Sequence, residues 1–166
     1  MSVSITPSPY QKNIPLFVTG ALTGNGSDTT EDPLQSFTVP ANTLRNNGDQ
    51  LRITVGGGVI ASTDSKVVKV HWNTITGTQV YNTTLNTAAM SRWSCIINIV
   101  KTGTGTQSFS TVGSVGSSAA SGALSGTAPQ NETLALPIVV TGQNSTNPTP
   151  NSITCQFMYV EFIGAP

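Results

Sequence analysis

Few side chains in this sequence can do chemistry. The 166 residues hold one histidine, His71, and seven carboxylates: Asp28, Glu31, Asp32, Asp49, Asp64, Glu132 and Glu161. No sequence-adjacent base and orienting group accompany His71, so no nucleophile–base–acid constellation is visible. The run around it alternates, with Val68, Val70 and Trp72 on one face and Lys69 and His71 on the other, which predicts an outward-facing histidine. Asp28, Glu31 and Asp32 gather in one loop and offer oxygen ligands suited to Ca²⁺. They lack the EF-hand and nonapeptide spacings, so a solvated acidic loop without metal is expected. A glycosidase needs two carboxylates across a cleft. Glu132 and Glu161, both expected on late strands, are the pair a fold could bring together. Gly56-Gly57-Gly58 and Gly103-Thr104-Gly105 are not phosphate loops, because neither opens a helix nor runs into Gly-Lys-Ser/Thr. The expectation is a non-enzyme with no catalytic residue, no cofactor and no metal.

Two cysteines, Cys95 and Cys155, lie in apolar strand-like runs and read as buried thiols, a disulfide between them being the alternative. Trp72, Trp93, Tyr81 and Tyr159 could build a sugar-stacking platform, but the in-register neighbours of both tryptophans are apolar, which points to core or subunit-interface aromatics. The Asn-x-Ser/Thr sequons at Asn25, Asn82, Asn131 and Asn144 follow from composition.

Seven Lys plus Arg balance seven Asp plus Glu, and only 8% of residues are charged, against about 25% in a typical soluble domain. A neutral chain has no general pull on nucleic acid or anionic lipid, so neither is an expected partner. No apolar run approaches the roughly 18 residues of a membrane span, and no signal peptide is expected at the N-terminus. Thr (25), Ser (18) and Asn (13) supply the polar surface instead. So few charges give weak colloidal repulsion, which favours an assembly component.

The elements that must position these residues are strands. Residues 1–14, with Pro7 and Pro9, read as an extended N-terminal arm, and 15–166 as a single β domain. Leu51, Ile53 and Val55 alternate cleanly, and the three glycines that follow predict a bulge or a close backbone approach. Residues 92–101 are apolar on both faces, which marks a central or interface strand. Residues 113–131, rich in Gly, Ser and Ala, read as a long flexible loop, and 144–151 as a second polar loop. Eight or nine strands separated by Gly, Asn and Pro turns predict an all-β, jelly-roll-like sandwich, with an immunoglobulin-like sandwich as runner-up.

The stretch Pro40-Ala41-Asn42-Thr43-Leu44-Arg45-Asn46-Asn47-Gly48-Asp49-Gln50-Leu51-Arg52-Ile53 resembles a segment of tailed-bacteriophage virion proteins. The order of Lys69-Val70-His71-Trp72, the 91–97 strand and the 153–162 strand extends that resemblance over about residues 35–163. It implies a β-sandwich structural protein of the phage particle: a capsid decoration (cement) protein, a head fibre, or a tail-fibre or tail-tip module. Shaft repeats are absent, which favours a decoration protein on the capsid surface, made in the host cytoplasm. Its partners would be the major capsid protein and, around a local threefold axis, two further copies in a homotrimer. On this reading Val3, Ile5 and Tyr10 of the arm contact the capsid, while Trp93, Ile96 and Val100 form the subunit interface. The alternative is a receptor- or glycan-binding tail or fibre module, its recognition carried by the 113–131 and 144–151 loops.

Overall fold

Alternating apolar residues and Gly, Asn and Pro punctuation produce strands throughout. The computed structural model describes residues 13–62, 64–85, 91–116, 118–119, 123–146 and 149–165. The strands are β1 (Asn13–Thr19), β2 (Thr23–Gly24), β3 (Asp32–Val39), β4 (Gln50–Val59), β5 (Lys66–Trp72), β6 (Thr78–Leu85), β7 (Ser91–Gly103), β8 (Thr106–Val115), β9 (Ser118–Ala119), β10 (Ser125–Thr127), β11 (Leu136–Asn144) and β12 (Ile153–Ile163). They form two antiparallel sheets packed as a sandwich. The larger has the order β1-β12-β4-β7-β8-β10, with β2 on β12 and β9 on β8; the smaller has the order β3-β11-β5-β6. The all-β sandwich expected from the sequence is the architecture found. Because β1 begins at Asn13, Ile14, counted above with the arm, is a strand residue paired to Phe162. Val3, Ile5 and Tyr10 lie outside the described residues.

The inner faces meet in one core. Leu51, Ile53 and Val55 of β4, Cys95, Ile97 and Ile99 of β7, and Met158 and Val160 of β12 face Val68, Val70 and Trp72 of β5 and Ile138 and Val140 of β11. Full burial of each aliphatic side chain contributes about 1.5–3 kcal/mol before the entropy of ordering is counted. Phe17 of β1 stacks on Phe37 of β3, with ring centroids 4.9 Å apart, and joins the two sheets at one side.

Two of the three consecutive glycines are explained by close approach. β12 bulges between Cys155 and Phe157 opposite this run. A Cβ on Gly57 would stand 1.8 Å from the Thr154 carbonyl oxygen, and one on Gly56 would stand 2.7 Å from the Phe157 ring. Both glycines are therefore required by the strand beside them.

The described parts of the low-complexity stretch extend one strand and form another. β8 runs on to Val115, and Gly126 of β10 pairs with Phe109. The side chain of Gln107 then acts as a strand partner: its Oε1 accepts from the Gln130 N–H (2.8 Å) and its Nε2 donates to the Gln130 carbonyl (3.0 Å). Ala128 is fully buried as a result.

One end of the sandwich is tied by a buried charge network. Asp49 Oδ2 accepts the N–H groups of Arg45 (2.8 Å) and Asn46 (2.7 Å), and Oδ1 accepts that of Ala165 (2.9 Å). Lys101 Nζ donates to the carbonyls of Leu44 (3.3 Å) and Arg45 (3.0 Å) and to Glu132 Oε1 (2.5 Å). Glu132 Oε2 accepts the Gly105 N–H at 2.9 Å. The Pro40–Asp49 loop is thus folded around two charges, with Asn42 and Gly48 at positive φ (60° and 94°) making its corners.

Candidate functional site

Each group that could do chemistry is held in a structural contact. His71 is not on an open surface. It is 2% exposed, because the acidic loop folds over that face of β5 and places Glu31 Oε1 2.6 Å from Nε2. The same oxygen accepts from Thr141 Oγ1 (2.6 Å), and Oε2 accepts from Lys69 Nζ (2.5 Å). Burial alone would raise the Glu31 pKa, but the hydrogen bonds from Lys69, Thr141 and His71 outweigh it and hold the carboxyl below its ordinary range. This corrects two expectations, the outward histidine and the fully solvated acidic loop. Thr141 and His71 share a carboxylate oxygen rather than bonding each other, and Thr141 is fully buried, so the group fastens a loop instead of activating a hydroxyl.

The carboxylate pair also comes apart. Glu132 lies in the loop before β11 rather than on a strand, and Lys101 occupies it. The Lys101 hydrogen bond is the main reason its carboxyl sits below the ordinary range. Glu161 stands on the outer face of β12, where the Tyr159 hydroxyl donates to it at 3.3 Å. Asp28 accepts from the N–H and hydroxyl of Thr30, and Asp32 from the Gly26 N–H. Both thiols are free and buried. Burial pushes the Cys155 thiol up to about 11 and the Cys95 thiol higher still. Among the described residues, no group of three His, Cys, Asp or Glu could hold a metal ion.

What remains available is surface. The outer face of the larger sheet carries a row of residues in cross-strand register: Val18 of β1, Tyr159 of β12, Thr54 of β4, Ile96 of β7 and Val112 of β8. Val18, Ile96 and Val112 are 67%, 46% and 63% exposed. At about 4.8 Å per strand the row is roughly 19 Å long. On one side runs the row Pro15, Glu161, Arg52, Asn98 and Ser110, polar from Glu161 onward. On the other side lie Phe157, Gly56, Ser94 and Ser114.

Of the three expected interface residues, Ile96 is in this row, and Val100 is half-buried on the same face beyond Asn98. Trp93 is placed differently. It is 2% exposed, points into the core and donates its indole N–H to the Thr154 carbonyl at 3.1 Å. The strand period separates them, since positions 93 and 96 lie on opposite faces.

Past Phe157, the same sheet holds a cavity of about 460 Å³ lined by Gly58, Ile60, Ser91, Arg92, Gly116, Asn151, Thr154 and Gln156. A neighbouring one of about 320 Å³ shares Arg92, Gly116 and Gln156 and reaches Phe157. Gly116 and Asn151 come from the two loops singled out as possible recognition loops. Arg92 and Gln156 carry no sequence signal for this site; the glycine run was its visible trace.

The sequence matches no family model. It matches no curated protein either. Among solved structures it is similar to the CBM2 module of the evolved Dit of Lactobacillus casei BL23 phage J-1. Identity is 12% and the TM-score 0.38, over 79% of this chain and 69% of that one. The likeness is remote.

Proposed function

We propose that this chain is a non-enzymatic structural protein of a phage particle, a decoration protein that assembles as a homotrimer and bridges major capsid proteins on the head. The observation that carries the reading is the row Val18–Tyr159–Thr54–Ile96–Val112, which crosses five strands of a nearly uncharged molecule and leaves three aliphatic side chains, Val18, Ile96 and Val112, open to water. Exposed aliphatic side chains gathered on one sheet face are surface that a protein interface can cover. The fully occupied Glu31–Lys69–His71 and Lys101–Glu132 groups support a scaffold role over a catalytic one. The resemblance of the 40–53 segment to virion proteins supports the location. The N-terminal arm, through Val3, Ile5 and Tyr10, would add a second contact to the lattice, each contact modest and multiplied by valency.

The test is copy number per purified particle, by quantitative mass spectrometry against the major capsid protein. Hundreds of copies fit a decoration protein. A handful moves it to the tail, and absence ends the virion reading. Deleting residues 1–12 is expected to abolish capsid binding while leaving β1 and the fold in place.

A further inference from the structure

The glycine run poses a question that its own fold answers only in part. Gly56 and Gly57 are required by Phe157 and by the β12 backbone. Gly58 is not. A Cβ there would stand 3.4 Å from Gln156 Nε2 and Thr154 Oγ1, an ordinary contact, and its φ is not in the left-handed region. A glycine in a strand interior weakens it. What the missing side chain does at position 58 is keep the floor of the larger cavity open.

The walls above that floor have a definite chemistry. Arg92, Gln156, Asn151 and Ser91 converge on the groove, and among the described residues their side chains have no hydrogen-bond or ion-pair partner. This contrasts with nearby polar groups at the same end: Asn25, Asn144 and Ser152 are buried, and the side-chain oxygens of both asparagines lie within hydrogen-bond reach of the Ser152 hydroxyl. The lining has one cation and no carboxylate. Phe157 and Ile60, 41% and 37% exposed, supply apolar surface at the groove's ends.

We infer that this groove binds an acidic oligosaccharide, laid over Gly58 with its carboxylate on Arg92 and its hydroxyls on Gln156, Asn151 and Ser91. A planar guanidinium pairs bidentately with a carboxylate, and side-chain amides both donate to and accept from sugar hydroxyls. The apolar C–H faces of the sugar rings rest on Phe157 and Ile60. A peptide strand is disfavoured, because the floor is made of β12, β4 and β7, whose backbones are already paired. A nucleic acid is disfavoured because a single cation cannot neutralise a phosphate run. The site is separate from the apolar row and holds whether the protein sits on head or tail.

The experiment is an amide NMR titration of the full chain with hexagalacturonate, and with maltohexaose as the uncharged comparison. Saturable shifts at Gly58, Arg92 and Gln156 are expected with hexagalacturonate below about 1 mM, weakening as salt rises. Arg92→Ala is expected to weaken binding about tenfold or more, the loss of a charge-assisted pair. Gly58→Val, which fills the floor with a good strand former, is expected to abolish it while leaving the thermal transition in place. Ile96→Asp, in the apolar row, is expected to leave it unchanged. No binding of hexagalacturonate, equal binding of maltohexaose, or full binding by a folded Gly58→Val protein would each overturn the inference.

Discussion

Replacing Lys101 with Met tests the buried network at the end of the sandwich. Lys101 and Glu132 have side chains only 9% and 7% exposed, so the pair sits largely out of water. The substitution keeps the aliphatic stem but removes three hydrogen bonds, to Leu44, Arg45 and Glu132. It also leaves the Glu132 carboxylate without its cation. Breaking such a pair from one side costs about 3–5 kcal/mol. That is a large share of the 5–15 kcal/mol total usual for a domain. At about 2–4 °C per kcal/mol for this chain length, the melting temperature falls by roughly 6–20 °C. The assay is urea unfolding at pH 7, followed by tryptophan fluorescence.

The pH dependence fixes the cause. The folded Glu132 pKa lies below its ordinary value, so its contribution is fully present above that value and is lost as pH falls through the lowered one. The gap between wild type and Lys101→Met therefore narrows as the solution is acidified below about pH 4.3. Lys101→Met/Glu132→Gln recovers part of the loss at pH 7, because the glutamine oxygen still accepts the Gly105 N–H. A Lys101→Met cost under about 1 kcal/mol, or a gap independent of pH, would refute the network as the tie that holds the loop.

Four further outcomes are expected. Gly57→Ala, whose Cβ would overlap the Thr154 carbonyl oxygen at 1.8 Å, yields insoluble protein, whereas Gly58→Ala remains soluble and folded; expression and melting curves compare them. Glu31→Ala strands Lys69 and His71 and costs about 2–3 kcal/mol at pH 7. Because the folded Glu31 pKa is lowered, that cost shrinks as pH falls below the ordinary carboxylate range and through the lowered value, as read by unfolding over an acid pH series. Cys95 and Cys155 stay unreactive toward a thiol reagent in the native state and react once urea unfolds the chain, since both are buried with raised pKa values. Ile96→Asp and Val112→Asp leave monomer stability within about 0.5 kcal/mol, because both residues already face water in the single chain; in sedimentation they abolish the trimer proposed above.

The strands were legible wherever one face is buried, because period-two alternation reports that directly. Leu51, Ile53 and Val55, and Val68, Val70 and Trp72, were placed inward and are inward. The bulge signalled by Gly56-Gly57-Gly58 was legible too, though the extra residue belongs to β12 rather than to the glycine strand. His71 was misplaced for the complementary reason. Alternation gives a face but does not say what covers it, and Glu31, 40 residues away, covers this one. The order in 123–130 was hidden because it depends on one amide, Gln107, imitating a backbone. The groove was hidden because its walls come from four distant segments and only its floor left a pattern in the sequence.

β12 lies between β1 and β4 in the larger sheet. During synthesis β4 is finished while residues 60–152 are still to be made, and until β12 emerges neither β1 nor that edge of β4 has its neighbour. At 5–20 residues per second the interval lasts roughly 5–20 s. An apolar strand with an unpaired edge is then open to capture by another nascent chain.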